Sequence, residues 1–238
     1  MNNYEIPSIS THLVGNSYVG RGIVLGATPS GKAVFAYFIM GRSTNSRNRI
    51  FVEKDGELIT QPFDASKVED PSLIIYTAVK KLENRLIVTN GDHTDTIYNA
   101  LKSGGDFRSA LLTRTFEPDA PIFTPRISGM ITFSENDFQY DMSILKSVNA
   151  EGTGCVRCFY AYPSQRGLGH FIHTYACDGN PVPSFVGEPK RVAIYEDIDT
   201  FSQEIWDGLD LHNKISLYVR YTDPITGLHE SRLINKNN

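Results

Sequence analysis

Apolar residues in the first ninety positions occur in short runs of strand length, separated by polar turns. The runs lie at 18–26, 33–41, 49–53, 57–63, 73–82 and 85–91. The linker between the first two contains the Pro and Gly of a tight turn. Asp55-Gly56 separates the next two and favours a two-residue hairpin, and the last pair turns at Glu83-Asn84. The pattern therefore predicts successive antiparallel hairpins.

The remaining chain contains three segments with helical spacing and further strand-like runs. Helices are predicted at 92–105, 106–116 and 197–210, and strands at 126–133, 138–145, 155–163, 169–176, 214–223 and 229–236. Asp106 is the predicted N-cap of the second helix. Strands and helices occur in separate groups without βαβ alternation, which predicts an α+β fold of stacked antiparallel β-sheets. We predict one domain over 18–238, preceded by a polar N-terminal extension at 1–17.

Composition excludes several classes of protein. The 238 residues carry 23 Lys and Arg against 27 Asp and Glu, a net charge of −4 that does not favour nucleic-acid binding. The longest apolar stretch, 33–40, is much shorter than the ~20 residues of a membrane-spanning helix. Residues 1–10 lack the basic and apolar regions of a secretion signal. Three cysteines do not indicate a disulfide scaffold. We therefore predict a soluble cytoplasmic protein.

A cluster of arginines follows the second predicted strand. Residues 40–51 read MGRSTNSRNRIF, with Arg42, Arg47 and Arg49 within eight positions and no acidic residue between them. If the chain is already extended there, Arg47 and Arg49 point to the same side. Guanidinium groups match phosphate oxygens, so the segment is a candidate phosphate site. A solvated basic loop is the alternative, and the spacing leaves both open.

Two further polar segments could carry chemistry. Residues 89–95, TNGDHTD, run from a strand end into a helix start, where free backbone N–H groups favour an anion and His93 could titrate near neutrality. Simple helix capping by Asp92 or Thr94 explains the same residues. Residues 113–129 contain three prolines that could hold Glu117 and its neighbours at fixed geometry. A surface ion pair of Glu117 with an arginine is the alternative.

A zinc site and the common nucleotide motifs are disfavoured. The residues Cys155, Cys158, His170, His173 and Cys177 resemble a zinc ligand set. However, strand residues three positions apart face opposite sides, so neither the cysteine pair nor the histidine pair can chelate without a turn. The sequence contains no P-loop, no GxGxxG after a strand, no HExxH and no GxSxG. We predict no metal site.

Five of these segments, taken in order, resemble the archaeal-type IMP cyclohydrolases. They are YVGRG (18–22), GRSTNSRNR (41–49), YTAV (76–79), NGDHTD (90–95) and FEPDAPIFTPRISG (116–129). The resemblance covers roughly residues 18–130 and fades after about 135. It implies a four-layer αββα fold like that of the N-terminal nucleophile hydrolases, with two antiparallel sheets packed face to face and helices outside. It also implies a homo-oligomer.

The resemblance implies a reaction and a set of site residues. The reaction closes the ring of 5-formamidoimidazole-4-carboxamide ribonucleotide (FAICAR) reversibly to IMP and water, the last step of de novo purine biosynthesis, by general acid–base catalysis without metal or organic cofactor. The residues implied for phosphate and ribose are Arg21, Arg42, Ser43, Arg47 and Asn48. The residues implied for proton transfer are Tyr76 and Glu117, with Arg126 and Thr124 orienting the base or stabilising an oxyanion. The residues implied for the base pocket are Asn90, Asp92, His93 and Thr94.

Other functions stay open at this point. An amidohydrolase of the N-terminal nucleophile class needs a Cys, Ser or Thr at a mature N-terminus, whereas this chain begins Met1-Asn2. A purine-nucleotide sensor would keep the pocket and lack turnover. Tyr76 and Glu117, both present, argue weakly against a sensor.

Overall fold

The computed structural model describes residues 4–68 and 75–237 and contains two stacked β-sheets. The first six strands are β1 (Arg21–Ala27), β2 (Ala33–Met40), β3 (Arg49–Lys54), β4 (Glu57–Pro62), β5 (Tyr76–Leu82) and β6 (Arg85–Thr89). The others are β7 (Arg126–Phe133), β8 (Phe138–Ser147), β9 (Cys155–Pro163), β10 (Leu168–His173), β11 (Lys190–Ala193), β12 (Lys214–Thr222) and β13 (His229–Asn235). The helices are α1 (Ser10–Leu13), α2 (Thr44–Arg47), α3 (His93–Lys102), α4 (Phe107–Leu112) and α5 (Ile198–Gly208).

The strands form two antiparallel sheets. One has six strands in the order β11-β10-β1-β2-β12-β13, and the other is a seven-stranded meander from β3 to β9. All eight residues of β2 are buried because both faces of its sheet are covered. Phe35 and Tyr37 pack between the sheets, whereas Val34 and Phe38 pack toward α5. The predicted α+β class with two stacked antiparallel sheets is confirmed.

Helices cover the outer faces of the two sheets. α3 and α4 pack on the seven-stranded sheet through Ile97, Leu101 and Leu111. α5 packs on the six-stranded sheet through Phe201 and Ile205. The layer order is therefore αββα, as the resemblance implied.

Several boundaries differ from the predictions. The predicted helix 92–105 ends at Lys102, and 106–116 ends at Leu112, although Asp106 does cap it by accepting from the Ser109 amide at 2.9 Å. The predicted strand 169–176 ends at His173. The sequence pattern missed β11, because its four residues begin with two charged side chains. Residues 73 and 74 of the predicted strand 73–82 lie outside the described residues.

The segment before the first strand packs on the domain. Ile9 and Leu13 are buried in the same cluster as α5. The Pro7 carbonyl accepts from the Ala193 amide at 2.8 Å, next to β10. The described part of the predicted extension, residues 4–17, therefore covers one end of the helical layer.

Candidate active site

A cavity of about 310 Å³ opens at one edge of the β-sandwich. Antiparallel pairing brings the start of β1, the end of β2 and the starts of β3, β5 and β7 to this edge. The lining residues are Tyr18, Arg21, Arg42, Ser43, Asn45, Ser46, Arg49, Glu117, Asp119, Ile122, Thr124 and Tyr175. Five of the predicted site residues are therefore together in one cavity.

Two guanidinium groups in this cavity have no acidic partner. Within the described residues, no carboxylate lies within 4.0 Å of Arg21 or Arg49. Arg49 is only 2 % exposed and donates to the carbonyls of Ser46 (2.7 Å) and Met40 (3.2 Å). Burial, together with the Arg21 charge, lowers the pKa of Arg49. Two like charges held close together, with no carboxylate at ion-pair distance, form a site prepared to bind an anion.

Arg21 also faces acidic and phenolic groups. Burial would lower the pKa of Arg21, but the Glu117 carboxylate and the nearby tyrosines raise it above its ordinary value. Its Nε is buried and has no hydrogen-bond partner among the described residues, and the same holds for Oδ1 of Asn45 and Nε of Arg126. Buried polar atoms without partners are uncommon in proteins. Two of these atoms, those of Arg21 and Asn45, belong to residues that line the cavity, and a polar ligand bound there would supply the missing partners.

The arginine segment folds differently from the extended chain we considered. Ser43 caps the short helix α2 by accepting from the Ser46 amide at 3.0 Å. The helix turns Arg47 away from the cavity, where it donates to the Gly41 carbonyl and to Oδ1 of Asn213. Arg47 and Arg49 do not share one side, because the extended conformation on which that expectation depended is absent and Arg47 is helical.

Asn48 fixes the next turn. It exchanges two hydrogen bonds of 2.8 Å with the backbone of Asp64. The predicted phosphate ligands Arg47 and Asn48 therefore lie outside the cavity lining. Arg49, which we did not select, is inside. The sequence signal for Arg49 was the arginine cluster itself.

Arg42 lies at the rim of the cavity. Its guanidinium carbon is 5.0 Å from the centre of the Tyr18 ring, and Nη1 contacts Asp178 at 2.5 Å and the Gly179 carbonyl at 2.8 Å. The Tyr18 ring stacks on Tyr175, with their centres 5.5 Å apart. The sequence analysis missed this aromatic pair, whose members are far apart in the chain.

Glu117, Arg126 and His93 meet around Gly91. A Cβ atom on Gly91 would lie 2.9 Å from Nη1 of Arg126 and 3.4 Å from both Oε1 of Glu117 and Nδ1 of His93. Any larger residue would push these groups apart, which explains the glycine. Glu117 is 6 % exposed, and burial raises the pKa of its carboxyl despite the opposing charges of Arg21 and Arg126. A raised pKa suits a group that must both accept and donate a proton.

His93 is held neutral. Its Nε2 lies 3.2 Å from the Ile127 carbonyl, an acceptor only, so this nitrogen carries the proton. Nδ1 then accepts from Nη1 of Arg126 at 3.1 Å. Burial and the charge of Arg126 lower the pKa of His93 to about 3. The ring therefore orients Arg126. The expectation from the sequence that His93 could titrate near neutrality is not met.

Asp92 is an ion-pair partner and not a helix cap. It contacts Arg126 and Arg114, each at 2.5 Å, and its side chain caps no amide of α3. Burial would raise the pKa of Asp92, but the hydrogen bond from Arg114 and the charge of Arg126 lower it. The capping explanation for Asp92 was therefore wrong.

Thr124 joins the loop after α4 to the aromatic pair. Its hydroxyl contacts Asp119 and lies 2.7 Å from the Tyr175 hydroxyl. Burial raises the pKa of Tyr175 to about 12. The Glu117 amide donates to the Thr124 carbonyl at 2.9 Å, which fixes Glu117 across this loop.

Tyr76 lies beneath the cavity, outside its lining residues. Its hydroxyl is 2.9 Å from that of Tyr37, a fully buried residue of β2. Burial, followed by the effect of Tyr76, raises the pKa of Tyr37 well above its ordinary value, while Arg21 and Arg49 oppose this. The two phenols and the two arginines therefore form one interacting group.

Asn90 and Thr94 support the site from behind. Asn90 accepts from the Ile127 amide at 2.8 Å and donates to the Pro125 carbonyl at 2.9 Å. Thr94 pairs with the Thr89 hydroxyl at 2.6 Å. Both are buried: Asn90 ties the end of β6 to the start of β7, and Thr94 ties the end of β6 to the start of α3. They position Gly91 and Arg126 and do not line the cavity.

Among residues 4–68 and 75–237, no three His, Cys, Asp or Glu side chains cluster as a metal site would require. The cysteines are free thiols. His170, one of the zinc-like set, stacks on Tyr162 at 3.6 Å. Within the same part of the chain, no helix has the length and apolarity needed to span a membrane.

Comparison with known proteins identifies the family. The model of the family described as IMP cyclohydrolase-like protein matches residues 18–227, well beyond the segments quoted above. The IMP cyclohydrolase of Methanococcus aeolicus is 27 % identical over 164 residues, 67 % of this chain and 75 % of that protein. The IMP cyclohydrolase of Methanopyrus kandleri is 36 % identical over 50 % of this chain and 60 % of that protein. The IMP cyclohydrolase of Haloarcula marismortui is 32 % identical over 76 % of this chain and 75 % of that protein. The chain belongs to the family of IMP cyclohydrolase-like proteins.

Proposed function

We propose that this protein is an IMP cyclohydrolase, which closes FAICAR to IMP and water in the cavity at the starts of β1, β3 and β7. The observation that carries the proposal is a pair of guanidiniums, the buried Arg49 and the half-buried Arg21, that have no carboxylate within ion-pair distance among the described residues and face a cavity that Glu117 also lines. A nucleotide monophosphate supplies the missing anion. Family membership supports the choice of this nucleotide.

The phosphate binds at Arg21 and Arg49. Arg42 and Ser43 lie on the same side of the cavity and complete the phosphate and ribose contacts. Each charge-assisted hydrogen bond contributes about 1.5–3 kcal/mol net. Asn48, through its two hydrogen bonds to the backbone of Asp64, holds the segment in the conformation that presents Arg49.

The base lies toward Glu117 and Arg126. Ring closure forms a bond between the carboxamide nitrogen and the formyl carbon and breaks the bond from that carbon to the formyl oxygen. The departing oxygen leaves as water, taking one proton from the carboxamide nitrogen and one from the formamido nitrogen. Glu117 accepts the first of these protons and returns it to the oxygen, a role that its raised pKa suits.

Arg126, Thr124 and Tyr76 assist this transfer. Arg126 is fixed by Asp92 and His93, so its positive charge is oriented before substrate binds and stabilises the developing oxyanion. Thr124 orients the base from the opposite wall. Tyr76 is the second candidate for proton transfer, although it lies outside the residues that line the cavity, with its hydroxyl 2.9 Å from that of Tyr37. Holding the two reacting groups together is itself a large part of the catalysis.

The test is an ultraviolet progress curve of purified protein with FAICAR. We expect the IMP spectrum to appear at a rate proportional to protein concentration. A flat trace combined with a rise in melting temperature on adding IMP would replace the enzyme with a nucleotide sensor. A flat trace without a thermal shift would reject both. We also propose a homo-oligomer, which sedimentation velocity on the same sample tests.

A further inference from the structure

A second and larger cavity lies at the opposite end of the sandwich. It measures about 510 Å³ and is bordered by the β5–β6 turn, the β7–β8 turn and the β12–β13 turn. Strand β7 runs from Arg126 at the candidate active site to Phe133 at this cavity, a span of about 23 Å. The two cavities are therefore separate sites.

A buried guanidinium forms the floor of this second cavity. Arg220, on β12, is 5 % exposed and lies on the same strand face as Tyr218, which packs between the sheets. Its one hydrogen bond with the described residues is a long one, from Nε to the Thr222 hydroxyl at 3.4 Å. No carboxylate within the described residues lies within 4.0 Å of it. A buried charge without a partner is costly unless a ligand or water compensates it.

The acidic residues nearby are engaged elsewhere. Glu53 accepts from the hydroxyls of Tyr218 at 2.6 Å and Ser231 at 3.2 Å. Asp223 accepts from the amides of Ile225 and Thr226 and so holds the β12–β13 turn. Two further carboxylates, those of Glu83 and Glu135, are exposed at the mouth. The inner end of the cavity is therefore cationic and its mouth partly acidic.

The walls between floor and mouth are largely apolar. Leu86 is buried, Phe133 is half-buried, and Ile225 is 69 % exposed at the rim. Arg85 and Lys81 add positive charge from the opposite sheet. A planar carboxylate can pair with a guanidinium through two parallel hydrogen bonds. A dianion such as phosphate would meet stronger repulsion from the acidic mouth and would leave the apolar walls uncovered.

We propose that this cavity is a second ligand site, which binds a small organic carboxylate with its anionic group on Arg220 and its hydrocarbon part against Leu86, Phe133 and Ile225. The site does not depend on the proposed reaction. Its occupant is a monoanion with an apolar body, unlike the nucleotide assigned to the other cavity.

Equilibrium dialysis of the full-length protein with radiolabelled benzoate tests the proposal. We expect one saturable benzoate site per chain. Neutral benzamide should bind at least about tenfold more weakly than benzoate, because it lacks the charge that strengthens the hydrogen bonds. Inorganic phosphate at equal concentration should not displace benzoate. Absence of saturation up to about 10 mM, or equal binding of benzamide, would overturn the proposal.

Variants locate the site. Arg220→Met should abolish benzoate binding, whereas Arg49→Met, in the candidate active site, should leave it unchanged. Arg232→Met is the matched control, because this exposed arginine of the neighbouring strand pairs with Asp199 away from the cavity. The opposite pattern, with loss in Arg49→Met only, would refute the proposal. Should Arg220→Met misfold, Ile225→Glu at the exposed rim adds a repelling carboxylate and should weaken benzoate binding several-fold.

Discussion

Replacing Arg49 with methionine should weaken nucleotide binding strongly while leaving the fold intact. Arg49 makes two hydrogen bonds to backbone carbonyls, through Nε and Nη2. A guanidinium has five N–H donors, so three remain without an acceptor among the described residues. Methionine keeps the length and apolar body of the side chain. The substitution also removes the repulsion between Arg49 and Arg21 in the unliganded protein, which offsets part of the loss of the two carbonyl bonds.

The expected magnitude follows from these contacts. If Arg49 gives a phosphate one or two charge-assisted bonds of about 1.5–3 kcal/mol each, the loss is about 3 kcal/mol. Such a loss corresponds to a roughly 100-fold weaker affinity for IMP. The change in unfolding free energy should be about 1 kcal/mol or less, since the lost carbonyl bonds and the relieved repulsion oppose each other.

Titration calorimetry with IMP and urea unfolding measure the two quantities. Arg47→Met is the matched control, because Arg47 is in the same segment and makes the same number of bonds to its surroundings but is outside the cavity. We expect the control to bind IMP within about threefold of wild type. Equal losses in both variants, or unchanged binding in Arg49→Met, would refute the assignment of Arg49 to the phosphate.

Three further predictions concern proton transfer and charge. Glu117→Gln should lower kcat by about 10²–10⁴-fold with little effect on IMP affinity, measured by FAICAR progress curves; an unchanged kcat would remove Glu117 from the mechanism. Tyr37→Phe removes the hydroxyl that contacts Tyr76 and should lower kcat several-fold and shift the pH profile, with KM unchanged. The control Tyr221→Phe, which loses a hydroxyl bonded to a backbone carbonyl elsewhere in the core, should change neither kcat nor the pH profile. Because the pKa of His93 is lowered from 6.5 to about 3, the stability it contributes is present above pH 6.5 and is lost as pH falls toward 3. The advantage of wild type over His93→Gln in urea unfolding should therefore shrink by about 3 kcal/mol from pH 7 to pH 4, and a constant difference would contradict a neutral His93.

The strands were predictable because burial on one or both faces leaves a strong apolar pattern. The continuous run of β2 and the alternation of Ile215, Leu217 and Val219 in β12 are examples. β11 was not predictable, since only one of its four residues is buried. The short helix α2 was missed because its residues are all polar, although Ser43 and Ser46 form a capping box. A capping box alone, without buried apolar residues beside it, was too weak a signal to predict the helix.

The sequence predicted which types of residue the site contains, but it identified only some of the individual residues that line the cavity. The resemblance selected Arg21, Glu117 and Thr124, which line the cavity. It could not distinguish Arg47 from Arg49, because Arg47 ends a short helix that directs its side chain away from the cavity, whereas Arg49 begins β3 and lines the cavity. The contact of His93 with Arg126 depends on the pairing of β6 with β7, which are separated by two helices in the chain. Sequence spacing does not contain that pairing.

The central claim is that the cavity at the starts of β1, β3 and β7 holds the nucleotide. A crystal structure of the protein with bound IMP tests this most directly. We expect the phosphate within hydrogen-bond distance of Arg21 and Arg49, and the purine ring next to Glu117 and Arg126. IMP bound anywhere else, or bound in this cavity with its phosphate away from both arginines, would contradict the account.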